Sequence, residues 1–395
     1  MTTPFAPSDR LYGIDWQAHN AEVKAVWDAF NAGKPIRTPV IVGVTTRYFI
    51  DNPDANPDGI DFKAYTEDVD LMFDTQLRFA SWSARNILQD AQLGLPDKWV
   101  LSVDFQNYWE SAWFGCEIEY LAGNVPDTRP AFSGNPESVM DRGMPDPFGG
   151  IMARGLEYHE RFVERAANET FLERPIEVLP PWYGTGGNGV MTVACSLFGP
   201  DFVCMTMAED PDRIHRLFRF INDATIARMK AWRERTGVPV PQDGFGYMDD
   251  SVPMISLPTF KRCVLPYLKD IYDTFGTGKN HACHMCGDAT RHFTALRDEC
   301  KVVNFDTGFP VDFGKLRKDL GPDVIINGGP HIELLRIATP QQAYDESVRI
   351  LQSGILEGGM FVLREGNNLA PGTPLENTEA MYRAGREHGY RSEES

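Results

Sequence analysis

The sequence predicts an α/β fold built on a parallel sheet. Short apolar strands alternate with helices through the C-terminal half, at the spacing of parallel βα units. The helix starts are chemically marked, so the alternation is not a matter of hydropathy alone. At 395 residues the chain exceeds the usual single-core size, yet one large α/β barrel absorbs that length.

The alternation begins with a strand over Asn280 to Cys286 and a helix over Ala289 to Cys300. Val302 to Phe305 is a short apolar strand, followed by a helix near Asp312 to Leu320. A strand over Asp323 to Asn327 precedes a helix from Thr339 to Ser353, and a strand over Gly359 to Leu363 precedes one from Thr373 to His388. Thr339-Pro340-Gln341-Gln342 and Thr373-Pro374-Leu375-Glu376 both read as capping boxes, with Thr as N-cap and Pro pre-setting the first turn. Asp210-Pro211 opens a longer helix. Its Ile214, Leu217, Phe218 and Ile221 form an apolar stripe, and Gly237 stops it.

The N-terminal part carries fewer signals. Trp16 to Ala32 reads as a helix, Pro39 to Val44 as a strand, and Asn52 to Gly59 as a run of turns. Residues 134–150, rich in Gly, Pro and Asp, read as a long surface loop. We expect one domain over 1–395, with 1–60 as an N-terminal helical extension.

Composition excludes several classes. Fifty-six acidic against 38 basic residues give a net charge of −18, which leaves no basic stripe for nucleic acid. Seven cysteines, an odd number in a long chain, argue against a disulfide framework and for a reducing compartment. No charged-then-apolar leader and no run of about 18 apolar residues is present. A cytoplasmic location with no membrane contact is therefore expected.

His281-Ala282-Cys283-His284-Met285-Cys286 holds four side chains able to ligate a metal. On a strand they sort into His284 with Cys286 on one face and His281 with Cys283 on the other. Sulfur beside imidazole nitrogen suits zinc, but small polar groups buried in a sheet would give the same pattern. In a parallel barrel the C-terminal strand ends form the functional mouth. Gly287-Asp288 marks such an end, and His284 with Cys286 lies nearer to it.

Asp249-Asp250 and Asp306 are acids at the ends of other strands, fit for acid–base work or for capping the next element. Asp104, Trp109 and Glu110 could line a pocket or fill core. Gly184-Thr185-Gly186-Gly187-Asn188-Gly189 lacks the Gly-Lys-Ser/Thr of a P-loop, and Pro180-Pro181-Trp182 before it makes a poor central strand, so it reads as a rim loop rather than a nucleotide cradle.

Three ordered segments carry a resemblance. HMCGDATRHFTALRD resembles the His-x-Cys-Gly segment of corrinoid-linked methyltransferases. VNFDTGFPVDFGKLRKDLGPDVIINGG is similar to the strand, acid, helix and strand that follow it, and GGMFVLREGNNLAPGTPLENTEAMYRAGREHG to the last strand, glycine turn and final helix. Together they resemble the uroporphyrinogen decarboxylase-like superfamily over most of residues 175–390, nearest its methylcobamide:coenzyme M methyltransferase branch. The resemblance implies a (β/α)8 TIM barrel with its site at the C-terminal mouth, and it selects His284 and Cys286 as metal ligands.

Two departures matter. Where those methyltransferases place a third zinc-binding cysteine after the last glycine, this chain has Asn367 and Asn368. Where the decarboxylases carry an arginine-rich N-terminal motif for a many-carboxylate tetrapyrrole, only Arg47 remains. Asp249, Asp306 and Glu365 are the acids at hand to complete a ligand set.

The resemblance therefore implies a metal-dependent methyltransferase or demethylase. It would hold zinc or another divalent metal on His284 and Cys286. It would move a methyl group between a small methylated ether, amine or thiol and a corrinoid protein or thiol acceptor. Asp249 and Asp306 are the expected catalytic residues, and Arg47, Trp182, Tyr247 and Asn367 the expected substrate contacts. Two other readings stand beside it. One is a metal-independent decarboxylase or lyase of a small acid, anchored by Arg47. The other is a non-catalytic subunit that binds a corrinoid partner. Expected partners are a small substrate and a corrinoid protein, with nothing against self-association.

Overall fold

The structure, a computed structural model, describes residues 5–121 and 123–390. Its strands are β1 (Trp99–Leu101), β2 (Ile118–Glu119), β3 (Asp127–Thr128), β4 (Ile176–Val178), β5 (Gly246–Met248), β6 (His281–Met285), β7 (Val302–Thr307), β8 (Ile325–Gly328) and β9 (Phe361–Leu363). From β5 to β9 each strand pairs in parallel with the next in sequence order. β1 pairs in parallel with β4, and β2 with β3 forms a small antiparallel ribbon. An extended segment at Val40 bridges Leu363 in parallel and continues the wall beyond β9. Val40, β1, β4 and β5 to β9 are thus the eight staves of a (β/α)8 barrel.

Helices follow the strands as the sequence predicts. Thr290–Cys300 follows β6, Phe313–Leu320 follows β7, Pro340–Ile350 precedes β9 and Leu375–His388 follows it. The long helix is Pro211–Thr236, ended by Gly237 at φ 72°. Thr339 makes the expected capping box with Gln342. Thr373 does not. That helix begins two residues later with Pro374 in the cap position, and the Thr373 hydroxyl is buried instead. Residues 134–150, read as loop, contain a single helical turn at Ser138–Asp141. Pro39 to Val44, read as a strand, is extended but joins the wall at Val40 alone, so the barrel's first stave lies inside the span read as an N-terminal extension.

That first stave is held by side chains. Asp90 Oδ2 accepts from Val40 N–H at 2.7 Å, and Gln89 Oε1 accepts from Val42 N–H at 2.9 Å. Arg37 donates two bonds to the buried Asp90 carboxylate at 2.6 and 2.7 Å, a bidentate pair away from water.

Burial along β5 to β8 sets the interior apart from a packed barrel. Tyr247, Cys283, Phe305 and Ile326 face the helices and are buried. The residues between them, such as Gly246, Ala282, Asn304 and Asn327, face inward and remain accessible. Barrel interiors are ordinarily filled by layers of bulky branched side chains, and here that layer is small or polar. Among the described residues no single helix is long and apolar enough to cross a membrane.

Candidate metal centre

The parallel register places Met248, His284 and Asp306 side by side on β5, β6 and β7. His284 Nδ1–H donates to Asp306 Oδ2 at 2.8 Å, which fixes the ring and turns Nε2 toward the mouth. Nε2 lies 3.3 Å from Cys286 Sγ and 3.4 Å from Asp250 Oδ1. Cys286 N–H donates to the same Asp250 oxygen at 3.1 Å. One atom each from Asp250, His284 and Cys286 falls within 4.8 Å of the others, at half-buried side chains.

The donor set fits a divalent cation. Burial opposes charge on the His284 ring. Yet its hydrogen bonds with Asp306 and Cys286, and the charges of Asp250 and Asp306, outweigh that and drive its pKa up to about 10. The negative charge that holds a proton there is the charge a metal ion would neutralise in the proton's place. Asp306 behind the ring is the carboxylate–histidine arrangement that orients metal-bound imidazoles. Arg364 Nη1 lies 3.2 Å from Asp306 Oδ1 and braces it in turn. Sulfur, nitrogen and oxygen together suit zinc, with the carboxylate widening the range toward harder ions.

The acids read from sequence divide. Asp306 is at the site as the partner of His284. Asp249 lines neither the mouth nor the barrel interior. It is buried, and its carboxylate accepts from Thr192 Oγ1 at 2.7 Å, Thr192 N–H at 2.9 Å and Met191 N–H at 3.3 Å. Burial pushes its pKa up to about 7 against those hydrogen bonds. The acid beside His284 and Cys286 is its neighbour Asp250. The signal lay in the period-two alternation that sorted the ligands of β6: counted from inward-facing Met248, the next inward position is Asp250. Glu365 is buried behind Arg364, and its Oε1 accepts from Gly43 N–H at 2.9 Å and Arg364 Nη2 at 3.0 Å. A Cβ on Gly43 would stand 2.2 Å from that oxygen, so the close approach requires glycine. Glu365 therefore supports the site from behind.

Asn367 reaches Cys286, its Nδ2 donating to Sγ at 3.2 Å. Asn368 N–H donates to Asn367 Oδ1 at 2.7 Å, which fixes the amide with its NH2 toward sulfur. The place of a third cysteine is thus taken by a hydrogen-bond donor to Cys286, and Asp250, just past the end of β5, offers a third candidate donor atom. His281 and Cys283 are buried; His281 is engaged by Cys300 O and Gly278 N–H.

A mouth cavity of about 470 Å³ opens onto these groups, lined also by Thr46, Arg47, Asp104, Gln106, Trp109 and Asn188. Arg47 donates to Gln106 Oε1 at 2.7 Å and Asn107 Oδ1 at 2.8 Å, both neutral. Burial lowers its pKa, offset in part by the charges of Asp104, Cys286 and Asp250. Trp182 lines the mouth, whereas Tyr247 is buried with its hydroxyl donating to Asn188 O at 2.6 Å and lies outside the mouth cavity. Glu110, read as a pocket acid, forms a buried pair with Arg228 at 2.8 Å and holds Asn188 by its backbone and side-chain N–H groups.

The profile of the family described as Uroporphyrinogen decarboxylase (URO-D) matches residues 22–388. The chain belongs to the uroporphyrinogen decarboxylase family. Among solved structures, a methyltransferase from Methanosarcina mazei is similar to it with a TM-score of 0.63 at 19% identity, covering 92% of this chain and 98% of that one. A search of curated proteins finds none that matches. The decarboxylase family's barrel accounts for the position of the site at the C-terminal strand ends, and the match extends through the N-terminal half that carries few sequence signals.

Proposed function

We propose that this protein is a metal-dependent methyltransferase that moves a methyl group between a small methylated compound and a corrinoid protein or thiol acceptor. The observation that carries the reading is the convergence of Asp250, His284 and Cys286 at the barrel mouth, with Asp306 behind His284. The similarity to the Methanosarcina mazei methyltransferase supports it. Asp250, His284 and Cys286 would hold zinc or another divalent ion. When bound, the ion supplies Lewis acidity that lowers the pKa of a thiol or polarises a methylated heteroatom.

The chain's own residues do the rest. Asp306 keeps the His284 ring oriented, and Asn367 donates to the Cys286 sulfur. Arg47, bonded among the described residues only to neutral amides, offers a cation to an anionic group on substrate or acceptor. Trp109 and Trp182 pack edge to face with centroids 5.7 Å apart and give the mouth an apolar wall. A second reading rests on the same Arg47: a metal-independent decarboxylase that anchors a small carboxylic acid there.

Elemental mass spectrometry separates the two. Wild-type protein reconstituted with zinc should retain about one ion per chain, and His284→Ala, Cys286→Ala and Asp250→Ala should each lose it. A stoichiometric ion should accompany methylation of cob(I)alamin by a methylated donor, followed by absorbance. Wild type that cannot be loaded with any divalent metal sinks the methyltransferase reading.

A further inference from the structure

A second cavity, of about 600 Å³, lies on the other side of His284 and Asp306 from the mouth and occupies the barrel lumen. It shares Trp182, Met248, His284, Asp306 and Arg364 with the mouth cavity, so His284 and Asp306 stand between the two, with Asp250 and Cys286 on the mouth side. Its volume falls in the range of small-molecule sites. Two features create it. Gly246 and Ala282 face each other across paired strands, where bulkier residues would close the lumen. The wall is also not hydrogen-bonded between β4 and β5, which belong to separate sheets. Above, Asn188 bridges Met248 and Gly189 N–H donates to Met248 O at 2.6 Å, which closes the gap at the mouth. Below that bridge the cavity runs out between Leu179 and Pro180 on one side and Val238 and Gln242 on the other.

Arg233 stands at this lower end, only 4% exposed. Its Nε donates to Thr185 O at 2.8 Å, and Nη1 to Pro239 O and Gln242 Oε1 at 3.0 Å each. Among the described residues no carboxylate pairs with it, and Nη2 has no hydrogen-bond partner. Arg317 is the instructive contrast. It too is buried without a carboxylate, but its Nε, Nη1 and Nη2 all donate to backbone carbonyls, and it lines neither cavity. A buried guanidinium with a spare donor at the edge of a cavity is a place for an anion.

We propose that the lumen is a second ligand chamber, reached through the gap between β4 and β5, that binds a small organic anion with its charged end on Arg233 and its apolar end toward His284. Met248 and Trp182 supply apolar surface along the way. The row of Gly246 and Ala282 lies about 7 Å below the row of Met248 and His284, at roughly 3.3 Å per residue. That span accommodates a molecule the length of one substituted ring.

The consequence for chemistry rests on the methyl-transfer reading. In such a displacement the nucleophile supplies the electron pair of the new bond to the methyl carbon, and the departing heteroatom keeps the pair of the broken bond. The two stand on opposite faces of that carbon and must be held in line. A lumen chamber below His284 and a mouth above it let the small donor arrive from the lumen while the acceptor occupies the mouth. Neither must leave for the other to bind.

The test is calorimetric titration with 4-methoxybenzoate, an anion with an apolar methylated end, and with neutral 4-methoxybenzyl alcohol. Both metal-free and zinc-loaded protein are titrated. A Cβ at position 246 meets Ala282 Cβ at 3.5 Å and Ala282 O at 3.9 Å, both ordinary contacts, so Gly246→Leu fills the lumen without a backbone clash. The anion should bind wild type in both metal states. Gly246→Leu and Ala282→Leu should weaken it at least tenfold at an unchanged Tm. Arg233→Gln should weaken the anion but not the alcohol. The proposal is overturned if the anion does not bind wild type, or binds Gly246→Leu as tightly. Because the readout is binding to metal-free protein, a chamber without metal loading would refute methyl transfer alone. Metal loading without lumen binding would refute the chamber alone.

Discussion

From Gly246 to Leu363 each barrel strand hydrogen-bonds to the next through its own backbone, whereas Val40 and β1 are backbone-paired on one side only, to Leu363 and β4, and side chains tie the other side. Gln76, on the helix Val69–Asn86, donates to Ser102 O at 2.6 Å and accepts from Ser102 N–H at 3.2 Å, as a neighbouring strand would. At Val40 the Asp90 carboxylate accepts from the N–H and the Asp90 backbone N–H donates to the carbonyl, each at 2.7 Å. One half of the barrel carries the metal-ligand candidates on a continuous ladder. The other supplies Arg47, Asp104 and Trp109 to the mouth from loops and short helices. The difference teaches where substitution should unfold the chain and where it should only disable the site.

The largest effect on stability belongs to the side-chain-tied half. Asp90→Ala leaves Arg37 buried without its partner and frees the Val40 N–H, so it should cost about 3–5 kcal/mol in urea denaturation. A loss below about 1 kcal/mol would show that the first stave does not depend on it. In the ladder half, Asp306→Asn should leave stability nearly unchanged while lowering zinc affinity about 10–100-fold by competition with a chromophoric chelator.

A smaller effect comes from pH. His292 is buried against the Phe260 ring at 4.7 Å, and burial, aided by Arg291, lowers its pKa to about 4. The unfolded chain binds this proton near pH 6.5, while the folded chain resists it down to about 4. Stability should therefore fall by about 1–2 kcal/mol as pH drops through that window. His292→Leu should remove that part of the slope, and an identical pH profile in the variant would count against it. The smallest contrast lies between two look-alike helix starts. Thr339→Ala should cost about 1 kcal/mol through its capping box, and Thr373→Val nearly nothing, because Thr373 caps no helix.

The same division explains what the sequence made legible. Strands β6 to β9 and their helices carry period-two and helical patterns, with Thr, Asp and Gly at the ends, so local chemistry announces them. Val40 and β1 are short, each has a backbone partner on one side only, and the other side of Val40 and of the residue after β1 is held by residues 26 to 50 positions away, which no local pattern encodes. At the site, His284 and Cys286 stand out by residue type. Asp250 was hidden by standing next to an equally plausible Asp249, and the choice depends on which way Met248 points. Arg233 was silent because its meaning lies in what does not pair with it.

The two neighbouring acids at the end of β5 have one more implication. Asp249 accepts from the Met191 and Thr192 amides in the first turn of the helix Val190–Phe198. A Cβ on Gly189 would collide with that carboxylate at 2.2 Å, so the chain there closes down on it. Asp250 thus sits one peptide from an anchored helix end. Those two amides should be among the last near the mouth to exchange with deuterium, and the site's acid should keep its place on timescales at which an ordinary rim loop would wander.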